Sequence, residues 1–192
     1  MWKHITALCL VSALLLGAWI YRYVTRIRLQ TEIETLQNTL AHLVEKQPFL
    51  VIDTTNNRLS IRQNQIVVHE AICATGSGKT LLGSGKKTWT FRTPQGLLKI
   101  QNKIANPIWS KPTWAFVEKG EPIPALSNVE ARYDSLALGD YALALGDGYF
   151  IHGTLYTAFL GSSITHGCIR LDDEDLKRVY TTVDKGTRVY IY

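Results

Sequence analysis

A change of hydrophobic period at Pro48 divides the chain into two parts of different fold class. Upstream, Ile5–Tyr21 (ITALCLVSALLLGAWIY) carries no charge, and Leu29, Ile33, Leu36, Leu40 and Leu43 then recur at spacings of four and three. Both patterns are helical. Pro48 cannot continue a helix. From Phe49 the stretch FLVIDTTNNRLSIRQNQIVVHEAICATG reads as strand, Asn-Asn turn, strand, Asn-Gln turn and strand.

The helical part divides into residues 1–24, expected as a membrane anchor, and residues 25–47, expected as a helical stalk. Seventeen uncharged residues span about 26 Å as a helix, close to the hydrocarbon thickness once Arg22 snorkels and Tyr23 and Val24 are added. Trp2, Trp19, Tyr21 and Tyr23 sit at the ends, where interfacial aromatics collect. A cleaved signal peptide would have a shorter apolar region ending in a small-x-small site, which is not cleanly present, so the anchor is expected to be uncleaved. The stalk seam covers only about two heptads, enough for no more than a weak homodimer.

Residues 48–192 read as a mostly β domain. After the first three strands, strand-like pieces follow at Thr88–Arg92, Leu97–Ile100, Trp114–Val117, Tyr141–Leu145 and Tyr149–Ile151. One helix is well signalled: Asp172 or Asp173 caps it, Leu176, Val179, Tyr180 and Val183 form its apolar stripe, and Gly186 ends it. Arg188–Tyr192 is a closing strand. The expected fold is a β-sandwich or barrel-like sheet with one packed helix, preceded by a single transmembrane helix and a short stalk.

Charge narrows the partners. The chain is +5, and from Pro48 onward 16 Lys and Arg oppose 13 Asp and Glu. Between Ala71 and Val117 there are seven basic residues and no acidic one. Such a run is ordinarily a solvated face, although it also suits an anionic polymer. No nucleic-acid-binding signature accompanies it, so no nucleic-acid partner is expected. Three separated cysteines (Cys9, Cys73 and Cys168) make neither a disulfide framework nor a zinc site, and no metal or cofactor is expected. Cys9 lacks the small residue before it that a lipoprotein site needs, and Cys73 reads as a buried strand residue. Gly76–Thr80 (GSGKT) imitates a phosphate-binding loop, but Cys73 occupies the place of the first glycine and the continuation is glycine-rich rather than helical.

The chemistry concentrates in Phe150–Leu171 (FIHGTLYTAFLGSSITHGCIRL). A cysteine nucleophile needs a base within reach and a third group to orient that base. His166 lies two residues before Cys168, and His152 sixteen before. Gly167 permits a tight turn, and successive amides at such a turn can form an oxyanion hole. Arg170, two residues beyond Cys168, is placed to take a substrate carboxylate bidentately.

His152–Gly153, Thr165–His166–Gly167–Cys168 and Ile169–Arg170–Leu171 resemble the signature of L,D-transpeptidase catalytic domains, the cysteine transpeptidases of peptidoglycan. The resemblance also takes in VIDTTNNRLSI, the ATGSGKT loop and Arg92–Thr93–Pro94–Gln95–Gly96, and so spans about Phe49–Tyr192. It implies that Cys168 is the nucleophile and His152 its base, with the Gly153 carbonyl orienting the imidazole. His166 is implied to hydrogen-bond within the site. The amides of His166, Gly167 and Cys168 would form the oxyanion hole, and Arg170 and Thr165 would meet the substrate. The implied reaction passes through a thioester on Cys168 with stem peptides of peptidoglycan, giving 3→3 cross-links. Water as acceptor would make an L,D-carboxypeptidase, and an amine of a wall protein an attachment enzyme. Carbapenems are the implied inhibitors. The implied location is the bacterial inner membrane, single-pass, with the catalytic domain in the periplasm.

One feature opposes that location. Arg22, Arg26 and Arg28 follow the apolar run, and the positive-inside tendency would hold the domain in the cytoplasm; the wall chemistry is given precedence. Two other classes fit less well. An inactive peptidoglycan-binding module would be expected to have lost Cys168 or His152. A papain-like peptidase places its cysteine early and its histidine far downstream, the reverse of the order here. Thr154–Ile164 and Ile108–Pro124 are the candidate lids.

Overall fold

The computed structural model describes residues 2–43, 46–64 and 66–192, with side chains in the N-terminal helix described from residue 15 to residue 40. It separates into two units, Met1–Val44 and Glu45–Tyr192. The first is one helix, Trp2–Leu43. More than half of the expected anchor, residues 1–14 of 1–24, lies outside the described side chains. From Leu15 the apolar run lasts only to Tyr21 before Arg22, Arg26 and Arg28 interrupt it. Among the described residues no helix is long and apolar enough to cross a membrane. The expected single-pass anchor is therefore unsupported there. Leu29, Ile33, Leu36 and Leu40 are all more than half exposed in the single chain; the expected homodimer finds no support among the described residues.

The second unit is built on two sheets. The larger runs in the order Ile66–Ile72, Arg58–Gln63, Phe49–Asp53, Arg188–Ile191, Gly96–Lys99. Its central pair, Phe49–Asp53 with Arg188–Ile191, is parallel, and the other neighbours are antiparallel. The smaller sheet runs Ile169–Leu171, Tyr149–Gly153, Tyr141–Gly146, Asn102–Ala105. Successive strand residues face opposite sides. Leu50 and Ile52 of one sheet and Leu143, Ile151, Ile169 and Leu171 of the other accordingly join one buried core.

The helix Asp173–Thr182 packs on the smaller sheet, with Leu176 and Val179 fully buried. Asp172 caps it by accepting from the Asp175 amide at 2.8 Å. It ends at Val183, whose extended backbone stops it. Gly186, the expected terminator, instead turns the chain at φ +91° and donates to the Ile100 carbonyl at 2.7 Å.

The strand expected at Trp114–Val117 is a helix, Thr113–Lys119. Pro112 precedes its first turn and Gly120, left-handed at φ 67°, closes it. Aromatic and β-branched residues gave this segment a strand-like composition, but the Pro and Gly boundaries and the burial of Ala115 and Phe116 decide for helix. A further short helix, Val129–Arg132, lies in the same connection. The turn expected at Asn64–Gln65 falls partly outside the described residues.

Leu176 anchors the helix that covers the smaller sheet. Leu176→Ala is expected to lower the unfolding free energy by about 3 kcal/mol, read from urea denaturation of the full chain.

Candidate active site

The site grows from one parallel ladder. Ile151 pairs with Ile169, His152 with Arg170 and Gly153 with Leu171. Because Ile151, Ile169 and Leu171 are buried in the core, alternation sends His152 and Arg170 to the opposite face. Both line a cleft of about 1140 Å³, together with Cys168.

His152 is only 4% exposed, and its Nδ1 lies 2.7 Å from the Gly153 carbonyl oxygen. A carbonyl only accepts, so Nδ1 carries the proton and Nε2 of the neutral ring keeps its lone pair. Burial lowers the imidazole pKa to about 4, and the nearby Arg170 charge adds to this, while the Gly153 carbonyl pulls the other way. The ring is therefore neutral at pH 7. Gly153 is itself fixed. Its amide donates to the Leu138 carbonyl at 2.8 Å, and a Cβ there would sit 3.2 Å from Asp173 Oδ1 and from the Gly139 Cα.

Cys168 follows a turn that only glycine permits. Gly167 has φ +120°, and a Cβ would stand 2.6 Å from the Tyr149 ring and 2.9 Å from the Arg92 carbonyl. Thr165, buried, donates from its hydroxyl to the Cys168 carbonyl at 2.6 Å and accepts from the Gly167 amide at 3.1 Å. Thr93, also buried, donates to the Gly167 carbonyl at 3.0 Å and accepts from the Gly76 amide at 2.8 Å. Behind these, Asn57 at φ 53° accepts from the Thr75 hydroxyl at 2.6 Å. The geometry departs here from two sequence expectations. Thr165 lines the cleft, but its hydroxyl is already engaged by the turn, and the Gly167 amide expected in the oxyanion hole donates to that hydroxyl.

The half-buried Cys168 thiol donates to the Gly148 carbonyl at 3.8 Å, a weak contact. Burial pushes its pKa up, against a backbone contact from Phe150 and the Arg170 charge. Cys73 is fully buried and pushed up to about 12, mainly by burial. Arg170 is also half-buried, and burial lowers its pKa against the opposing influence of Cys168 and Tyr156. Among the described residues it pairs with no carboxylate. Of the acidic residues that follow it in the sequence, Asp172 caps the helix and Glu174 faces Arg178 at 4.0 Å.

His166 is held differently from His152. Its Nε2 lies 2.8 Å from Glu118 Oε2, its ring stacks on Trp114 with centroids 4.2 Å apart, and Phe91 meets it edge-on at 4.5 Å. Facing a carboxylate, Nε2 carries the proton. The two histidines thus hold opposite nitrogens protonated, and only His152 offers Nε2 as a base.

Trp109, Trp114 and Phe116 from the connection after Asn102–Ala105 line the cleft, so the expected lid Ile108–Pro124 does border the site. The other candidate, Thr154–Ile164, contributes no lining residue. Of the seven lysines and arginines in the basic run, Lys111 lines the cleft, whereas Lys103 binds the Val183 carbonyl and Lys87 lies over Trp89. The Gly76–Thr80 segment is a buttress. Thr75–Gly76 pairs with Ser163–Thr165, and a strand rather than a helix follows at Thr80–Leu82. Among the described residues no three His, Cys, Asp or Glu side chains group so as to hold a metal ion. Sequence reasoning missed Glu118 and Trp114 as site residues and gave Thr93 and Asn57 no role. Thr93 had a signal in its Thr-Pro-x-Gly setting; Glu118, 48 residues from His166, had none.

The fold is shared with known structures. A crystal structure of the L,D-transpeptidase from Xylanimonas cellulosilytica aligns with a TM-score of 0.56 at 20% identity, covering 77% of this chain and 61% of that one. Residues 47–191 match the family model described as YkuD, L,D-transpeptidase catalytic domain, and the chain belongs to that family, a transferase class of enzyme. Among curated relatives it is similar to the probable L,D-transpeptidase YbiS of Escherichia coli K12, 40% identical over 94 residues, 47% of this chain and 30% of that protein. It is also similar to the probable L,D-transpeptidase ErfK/SrfK of Salmonella typhimurium LT2, 28% identical over 154 residues, 78% of this chain and 48% of that protein. The matched region thus spans about a third to a half of these relatives' length.

The buried neutral His152 makes stability depend on pH. Its folded pKa is below the ordinary value of about 6.5, so the unfolded chain binds a proton first as pH falls. The contribution is present above pH 6.5 and is lost progressively down to about pH 4, amounting to about 3 kcal/mol. Denaturation at both pH values should show this loss, and His152→Asn should be less acid-sensitive than the unsubstituted protein.

Proposed function

We propose that the protein is an L,D-transpeptidase that acts on peptidoglycan stem peptides outside the cytoplasm, through a thioester on Cys168, and forms 3→3 cross-links. The observation that carries this is His152: buried, neutral, with Nδ1 held by Gly153 and Nε2 left as a base in the cleft that Cys168 lines.

The steps follow from those positions. The thiol turns from the Gly148 carbonyl, and its proton passes to His152 Nε2. The thiolate attacks the carbonyl carbon of the third stem residue, whose bond to the terminal D-alanine nitrogen breaks. The leaving amine takes the proton from His152. The side-chain amine of a second stem then gives a proton to His152 and attacks the thioester, and Cys168 leaves as the thiol. With the Gly167 amide engaged by Thr165, the His166 and Cys168 amides are the proposed oxyanion donors. Arg170, which pairs with no carboxylate among the described residues, takes an anionic group of the donor stem.

Acylation by a stem peptide or a carbapenem should add one mass to Cys168 and none to Cys73, seen by intact-protein and peptide mass spectrometry. Cys168→Ala should abolish the adduct, and His152→Ala should slow it by about a hundredfold or more. The double variant should be little worse than either single one. An adduct on Cys73, or full activity in His152→Ala, would overturn the assignment.

The acylation rate should be flat from about pH 5 to pH 8 and fall as His152 is protonated near pH 4. An acid limb centred near 6.5 would mean that the group taking the proton is not one lowered by burial.

Arg170→Ala should raise KM for stem peptides about tenfold or more while the melting temperature holds. A large fall in melting temperature with intact specific activity would instead make Arg170 a structural residue.

A further inference from the structure

The contact between Glu118 and His166 has no evident role in stability. Glu118 is 44% exposed and His166 28% exposed, and ion pairs in such settings contribute little to folding. Yet the contact is one of three on the same imidazole. Trp114 and Glu118 are four residues apart on the helix Thr113–Lys119 and so share one face. Trp114 covers the flat side of the His166 ring, Glu118 accepts from its Nε2 edge at 2.8 Å, and Phe91, itself edge-on to Trp114 at 5.3 Å, closes another side. A residue next to Gly167 and two from Cys168 is thereby locked by an element some fifty positions away. The backbone of the Cys168 turn is fixed from within by Thr165 and Thr93; its His166 side chain is fixed by that helix.

We propose that Glu118 is a positioning residue for acyl transfer, acting through His166. It holds the proton on His166 Nε2, keeps that ring from serving as a competing base through Nε2, and ties the helix Thr113–Lys119 bordering the cleft to the Cys168 turn. The turn is then already set when substrate arrives, and ordering it adds nothing to the barrier. This rests on the acyl-transfer reading above and deepens it, because it makes the cleft-bordering helix part of the reactive geometry.

The test uses the full-length protein and a carbapenem, separating the acylation rate constant from the concentration that half-saturates it. Glu118→Ala should lower the rate constant about tenfold, with half-saturation changed less than twofold and the melting temperature held. Glu118→Gln keeps an oxygen that accepts from Nε2–H and should return to within about threefold of the unsubstituted rate. In a His166→Ala background, Glu118→Ala should have no further effect. An unchanged rate in Glu118→Ala, an equal loss in the His166→Ala background, or a Glu118→Gln variant as slow as Glu118→Ala each overturns the inference, even while Cys168 is acylated normally in the unsubstituted protein. Absence of any Cys168 adduct in the unsubstituted protein overturns the acyl-transfer reading and this inference with it.

Discussion

The parallel pairing of Tyr149–Gly153 with Ile169–Leu171 is the constraint on which the site depends. Its register places Ile151, Ile169 and Leu171 in the core, and the two-residue period of a strand then commits His152 and Arg170 to the cleft. A slip of one position would bury the guanidinium and turn the apolar side chains outward, so core burial enforces the register that brings His152 and Arg170 to the cleft. The short strand Ile169–Leu171 also begins one residue after Cys168, and the sheet thereby locates the thiol as well.

Around that ladder the protein buries polar groups and satisfies them. Thr165, Thr93, Thr75 and Asn57 are all buried, and each is bonded within a network that reaches from the Asn57 turn to the Gly167 carbonyl. Among the described residues no buried side-chain nitrogen or oxygen lacks a partner. Networks of this kind rigidify when complete, whereas one unpaired member would be destabilising. The turn before Cys168 thus owes its left-handed Gly167 to sterics and its fixed carbonyls to threonines distant in sequence.

Two histidines fourteen positions apart acquire different chemistry from their surroundings. His152 is enclosed, kept neutral and held by a backbone carbonyl. His166 is partly exposed, stacked on an indole and held by a carboxylate. The partner of one ring nitrogen decides what the other can do.

The sequence by itself determined much of this. The change of period at Pro48, the alternating strands from Phe49, the Asp172 cap and the cluster from His152 to Arg170 are local signals, because they depend on side-chain type and spacing along one segment. They identified the mostly β domain and the packed helix, and they named the cysteine and histidine that the fold brings to one cleft. Tertiary structure decided the rest. Trp114–Val117 became a helix because Pro112 and Gly120 bound it and Ala115 and Phe116 are buried, against its strand-like composition. Thr165 turned inward because its hydroxyl completes the Cys168 turn. Glu118 reached His166 only because a helix face aligned it with Trp114, and Thr93 reached Gly167 across 74 positions of chain. Hydrogen bonds between residues so far apart leave no periodicity in a sequence; the folded core alone brings them within reach.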